Sequence, residues 1–117
     1  MEWLKISTST ELVRVATEEI VYVRADGNYS DLVLANGTTH KMTFQLHYFE
    51  EYFSRLHDNT FIRVGRSLIV NRRHIRMINI PEKLLRFGGH TISPDIAPLR
   101  LGRDSLKELK NAMVNYE

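Results

Sequence analysis

The sequence contains no cysteine, which excludes a disulfide framework, a thiolate metal site, a cysteine nucleophile and a thiol redox switch. No window approaches the roughly 18 consecutive apolar residues of a membrane-spanning helix. Met1-Glu2-Trp3-Leu4-Lys5 lacks the basic stretch and long apolar run of a secretory leader. Neither membrane insertion nor secretion is therefore expected, and the chain reads as cytoplasmic. A phosphate-cradling glycine-rich motif is also missing. The histidines stand at 40, 47, 57, 74 and 90, and no two share the i, i+4 spacing of a helical metal site. Gly65-Arg66-Ser67 has a serine after a glycine, but a nucleophile elbow needs a second glycine where Ile69 stands. The chain is expected to be no enzyme and to hold neither metal nor cofactor.

What is present is an ordinary globular balance. Apolar residues make up 43% and charged residues 26% of 117 residues, which fits one domain over 1–117. The net charge of +2 conceals an asymmetry. Residues 1–61 carry five Lys/Arg against nine Asp/Glu, whereas residues 62–110 carry eleven against four. Clustered cations raise the local potential and displace counterions from phosphates, so the second half suggests a polyanion-facing surface. A solvated basic face would have the same composition.

Strand patterns dominate the first 42 residues: Trp3–Ser7, Leu12–Val15, Ile20–Val23, Leu32–Leu34 and His40–Met42, with turns at Asp26-Gly27-Asn28 and Asn36-Gly37. Residues 44–56 switch to helical period, with Leu46, Phe49, Phe53 and Leu56 on one face and Thr43 as N-cap. Strands resume at Phe61–Val64, Leu68–Val70, Arg76–Ile80 and Leu84–Phe87. Pro94 and Pro98 favour an irregular or edge segment. A final helix is expected over 104–115, where Ser105-Leu106-Lys107-Glu108 has the capping-box pattern. The fold class is mostly β (α+β), with one internal and one C-terminal helix.

Within 61–71, an unbroken strand would aim Ile62, Val64, Arg66, Leu68 and Val70 to one side. Four suit a core and Arg66 does not, because an unpaired buried guanidinium is costly. A turn at Gly65 resolves the conflict and leaves Arg66 and Ser67 at its tip.

Four stretches, taken together, resemble the LytTR family of bacterial DNA-binding domains over nearly the whole chain. Ile20-Val21-Tyr22-Val23-Arg24-Ala25-Asp26-Gly27-Asn28-Tyr29 is similar to the family's I-x-Y-I-E-A-x-x-N-Y, and Thr43–Leu56 to its helix. Phe61-Ile62-Arg63-Val64-Gly65-Arg66-Ser67-Leu68-Ile69-Val70-Asn71 is similar to F-x-R-V-H-R-S-Y-I-V-N, and Leu101-Gly102-Arg103-Asp104-Ser105-Leu106 to V-S/G-R-x-x-L. The chain departs from the family in three places. Gly65 stands where relatives often have His, Arg24 where the pattern has Glu, and Gly88–Pro98 is longer and richer in proline than the usual hairpin.

The resemblance implies an elongated arrangement of short antiparallel sheets. It also implies loops, not a recognition helix, in successive major grooves. Many relatives carry an N-terminal receiver domain, for which this chain has no room. Arg66 is then the first base-reading candidate, because arginine can donate two hydrogen bonds to guanine O6 and N7. Arg103 is the second and Asn28-Tyr29-Ser30 the third. Ser67, Lys107, Arg63, Arg72 and Arg73 are candidates for phosphate contacts, which position without specifying. Each has an alternative. Arg63 could form an internal salt bridge, Tyr29 could pack in the core, and Arg72-Arg73 could be a solvated pair. Asn71 reads as a structural turn residue.

The partner expected is double-stranded DNA, bound by two copies on repeated sites. The alternative is a protein-interaction module of the same fold that binds a partner regulator or a membrane sensor. A weakly specific RNA or single-strand binder would need exposed aromatics, for which Tyr22, Tyr29 and Tyr48 are available.

Overall fold

β1 (Trp3–Ser7) and β2 (Leu12–Ala16) form an antiparallel hairpin that turns Leu4, Ile6 and Val13 inward. On its outer side the Arg14 guanidinium lies 3.8 Å from the centre of the Trp3 ring. Further along, β3 (Ile20–Asp26), β4 (Tyr29–Leu34), β5 (Thr39–Met42), β6 (Phe61–Val64) and β7 (Leu68–Asn71) make a five-stranded sheet. Its order is β5-β4-β3-β7-β6 and every pairing is antiparallel. A third sheet joins β8 (Ile75–Asn79), β9 (Leu84–Phe87) and the short β10 (Leu99–Arg100) in the order β10-β9-β8. Helix α1 (Leu46–Ser54) follows β5, and α2 (Arg103–Met113) ends the fold. This computed structural model describes residues 2–57 and 59–116. It measures 44 × 30 × 28 Å, elongated along one axis.

The central sheet is covered on both sides. Val23 and Ile69, opposite each other on β3 and β7, point into a core with Phe49 and Phe53 of α1 and Leu4 and Ile6 of the first hairpin. Tyr22, Leu68 and Val70 point the other way, into a core with Leu85, Leu99 and Leu106 and Leu109 of α2. A strand buried on both faces shows no apolar/polar alternation, and Leu68-Ile69-Val70-Asn71 is buried throughout. Asn71 closes this strand structurally. Its amide donates to the Ile20 carbonyl at 2.9 Å, and its side-chain oxygen accepts from the Arg73 backbone N–H at 2.9 Å.

The helix starts differ from expectation. Thr43 does not cap α1. Gln45 holds the N-cap position and makes no side-chain cap. Ser105 does not cap α2, which begins at Arg103 after Gly102, so the capping-box pattern falls inside the first turn. There Ser105 packs against the turn that follows β6, 3.5 Å from where a Cβ on Gly65 would stand. The Gly88–Pro98 segment buries Ile92 beside Val21 and Ala35, and its Ser93 N–H bonds the Ala35 carbonyl at 2.7 Å. It therefore lies by the β4–β5 turn, at the end of the sheet opposite the β3–β4 turn.

Candidate nucleic-acid interface

Antiparallel order brings three chain segments to one end of the central sheet. β3 ends and β4 begins there, around Gly27-Asn28. β6 ends and β7 begins there, around Gly65-Arg66-Ser67. β5 also ends there and leads into α1. The first two turns are joined by a hydrogen bond from the Ala25 N–H to the Ser67 carbonyl, 2.8 Å. The Gly65–Ser105 approach brings the α2 N-terminus alongside. Both glycines are needed for the geometry: Gly27 has φ 61° and Gly65 φ 64°, in the left-handed region that a Cβ disfavours. Neither helix has a side-chain cap, so the free N–H groups of both N-termini add positive potential at this end.

Six sequence-predicted residues meet here. Arg66 and Ser67 are exposed at the tip of the three-residue turn that links Val64 to its cross-strand partner Leu68. Arg103 is exposed on the first turn of α2, with Lys107 one helical turn further on. Asn28 is exposed in the β3–β4 turn and accepts from the Gln45 side-chain N–H at 3.5 Å. Beside it Tyr29 is 47% exposed, which removes the core-packing alternative, and Lys41 lies 5.7 Å from its ring centre. Among the described residues, Arg66, Arg103 and Lys107 form no ion pair. Unpaired cations on one surface are free to meet an anion without first losing a partner.

Four expected contacts need correction. Ser30 is fully buried and its hydroxyl donates to the Phe44 carbonyl at 2.7 Å. Strand alternation turns it inward next to the outward Tyr29, so it braces the loop and does not reach a base. Arg63 is not free for phosphate: Nη1 meets Glu50 at 3.3 Å, and Nε and Nη2 donate to turn carbonyls. Arg72 is drawn onto the end of α2, donating to the Ala112 carbonyl at 3.3 Å with its guanidinium 5.2 Å from the Tyr116 ring centre. A cation is favoured at a helix C-terminus, where unpaired carbonyls collect. Arg73 is exposed but follows β7 at its far end, so the four residues of that strand, about 13 Å, lie between it and Ser67. Arg72 and Arg73 thus stand apart from the three-turn end.

One feature went unseen in the sequence, and one was noted there without a role. Lys41 bridges Asp26 at 2.7 Å and Asp31 at 2.9 Å, tying β5 to both ends of the β3–β4 turn. The Lys41 hydrogen bond and charge hold the Asp26 carboxyl below the usual carboxylate range, and the same contacts raise the Lys41 ammonium. Register offered a signal: the Asn36-Gly37 turn sets Asp31 opposite Lys41. The noted one is Arg24, exposed, without an ion pair among the described residues, and opposite Leu68 on the α2 side of the sheet. It adds a cation one residue from the Ala25–Ser67 bond, where the family pattern has a carboxylate.

Comparison with known proteins agrees with this fold. The family model for the LytTr DNA-binding domain matches residues 10–113. An uncharacterised response regulatory protein of Vibrio cholerae is 34% identical over 70 residues, which is 59% of this chain and 26% of that protein. The chain spans about a quarter of that relative's length. A solved LytTr DNA-binding domain, from a Bacillus cereus protein described as a methyl-accepting/DNA response regulator, has the same fold. Its TM-score is 0.69 at 19% identity, covering 97% of this chain and 98% of that one.

Proposed function

The chain belongs to the LytTr DNA-binding domain family, and from that premise we propose that it is a transcription regulator that recognises specific double-stranded sequence through loops in the major groove. One observation carries this reading: Arg66 and Arg103, unpaired among the described residues, sit on two adjacent turns beside the exposed Asn28 and Tyr29. A major groove about 12 Å wide admits such a cluster. In this reading Arg66 and Arg103 contact guanine edges, and Asn28 and Tyr29 read a neighbouring base pair. Ser67 and Lys107 contact phosphates and set register. Arg24 joins them as a further cation.

Three short turns cover few base pairs, so two copies on a repeated site would supply the remaining discrimination. The Vibrio cholerae relative is described as a response regulatory protein, which supports a regulatory role. The chain would act in the cytoplasm, with a partner protein supplying the signal. Among the described residues no helix is long and apolar enough to cross a membrane.

Selection of bound sites from a random duplex library tests the reading. Enrichment of a short motif, repeated at a spacing near one helical turn or a multiple of it, is expected. Equal retention of all duplexes, or tighter binding of single strands than of duplex, would sink it.

A further inference from the structure

Arg63 lies on β6 two residues before Gly65, and it pairs across β7 with Ile69, so its side chain faces α1. Its guanidinium makes three directed contacts there. Nε donates to the Gly65 carbonyl at 3.1 Å and Nη2 to the Arg66 carbonyl at 2.6 Å. Nη1 donates to Oε1 of Glu50 on α1 at 3.3 Å. One planar fork therefore holds two consecutive carbonyls of the exposed turn, and a carboxylate on a packed helix holds the fork. Arginine's rigid donor geometry suits this, whereas an ammonium is a point charge that cannot span the same three acceptors in a plane.

The turn needs such a brace. Exposed loop tips sample several conformations, and a two-bond contact to a base edge requires the reading side chain within about 0.5 Å of its productive position. We infer that Arg63 is the positioning residue of the reading turn, with Glu50 as its anchor. Together they fix the backbone of Gly65 and Arg66, and so the direction in which Arg66 leaves the sheet. The consequence for recognition rests on the DNA-reading proposal above, while the ordering of the turn does not.

The test is Arg63→Lys, which keeps the charge and removes the fork. In the free protein, ¹⁵N relaxation order parameters at Gly65 and Arg66 should fall from the rigid range near 0.85 to below about 0.6. On the selected duplex, preference at the Arg66 base should fall about tenfold, with the salt dependence of affinity unchanged. Wild-type order at residues 65–67 in Arg63→Lys would overturn the inference, whatever DNA binding does. Lost order with full base preference would overturn the positioning role. Arg63→Gln distinguishes a phosphate contact: uniform weakening with a salt slope lower by about 0.9 would also contradict the inference. Should Arg63→Lys fail to fold, Glu50→Gln on the exposed side of α1 decides by the same relaxation readout, with a smaller loss of order expected and unchanged order contradicting it. If the wild-type protein prefers no duplex sequence, the DNA-reading proposal fails and the order parameters alone judge the clamp.

Discussion

Truncating Arg66 to alanine should separate recognition from folding. Its side chain is exposed at a turn tip and has no hydrogen-bond or ion-pair partner among the described residues. Surface substitutions without such partners usually change stability by less than about 0.5 kcal/mol, so the urea midpoint should barely move. The loss should fall on binding. A bidentate arginine–guanine contact is worth about 1–3 kcal/mol of discrimination, or roughly 5- to 150-fold in the ratio of affinities between the preferred base and its substitutes. Fluorescence anisotropy would measure this ratio on a duplex series varied one base pair at a time, at fixed salt, for wild type and Arg66→Ala. Preference should collapse at one base pair of each half-site and persist elsewhere. Lys107→Ala provides the contrast: all duplexes should weaken alike and the salt slope should drop by about 0.9. If Arg66→Ala behaves like Lys107→Ala, Arg66 neutralises a phosphate and its assignment to a base edge is wrong.

Other perturbations test other levels. Ser30→Ala removes the hydroxyl that satisfies the Phe44 carbonyl and should cost about 1 kcal/mol of stability in urea unfolding, with base preferences unchanged at every position. Leu106→Ala opens a cavity at a fully buried site beneath the first turn of α2 and should cost about 2–5 kcal/mol by the same assay. The Asp26 carboxyl titrates below the usual range because Lys41 donates to it. Folding lowers this pKa, so the pair contributes above the ordinary carboxylate range and its contribution fades as pH falls through the folded value. A ¹³C titration of the carboxyl should show it moving back up in Lys41→Met, and an unmoved titration would refute Lys41 as the cause.

Much of the architecture was legible because local pattern and tertiary demand agreed. Phe61–Val64 and Leu84–Phe87 form strands with the expected bounds, each a β-prone run cut off by a glycine or a turn. The conflict between Arg66 and its apolar neighbours correctly called for a break at Gly65, which has the left-handed φ that the break requires. Ser30 was misassigned although period two offered the answer: it shares a face with buried Leu32, and only its neighbour Tyr29 points out. The start of α2 was misplaced because Ser105 and Glu108 match a capping pattern that the tertiary structure does not use. Helix packing instead sets Ser105 against the Gly65 turn. Arg72 was beyond local reading, since α2 returns to it from forty residues away. Arg63 was half legible. A carboxylate partner was foreseeable, but its bonds to the Gly65 and Arg66 carbonyls depend on the backbone path of the turn.

The central claim is that the end of the sheet formed by the 26–29, 65–67 and 102–107 segments is the surface that meets DNA. Amide chemical-shift mapping on addition of the selected duplex tests it most directly. Shifts concentrated at Asn28, Tyr29, Arg66, Ser67, Arg103 and Lys107, with Arg72, Arg73 and the Gly88–Pro98 segment unmoved, are predicted. Shifts centred on Arg72 and Arg73 with a silent Gly65-Arg66-Ser67 turn would contradict it.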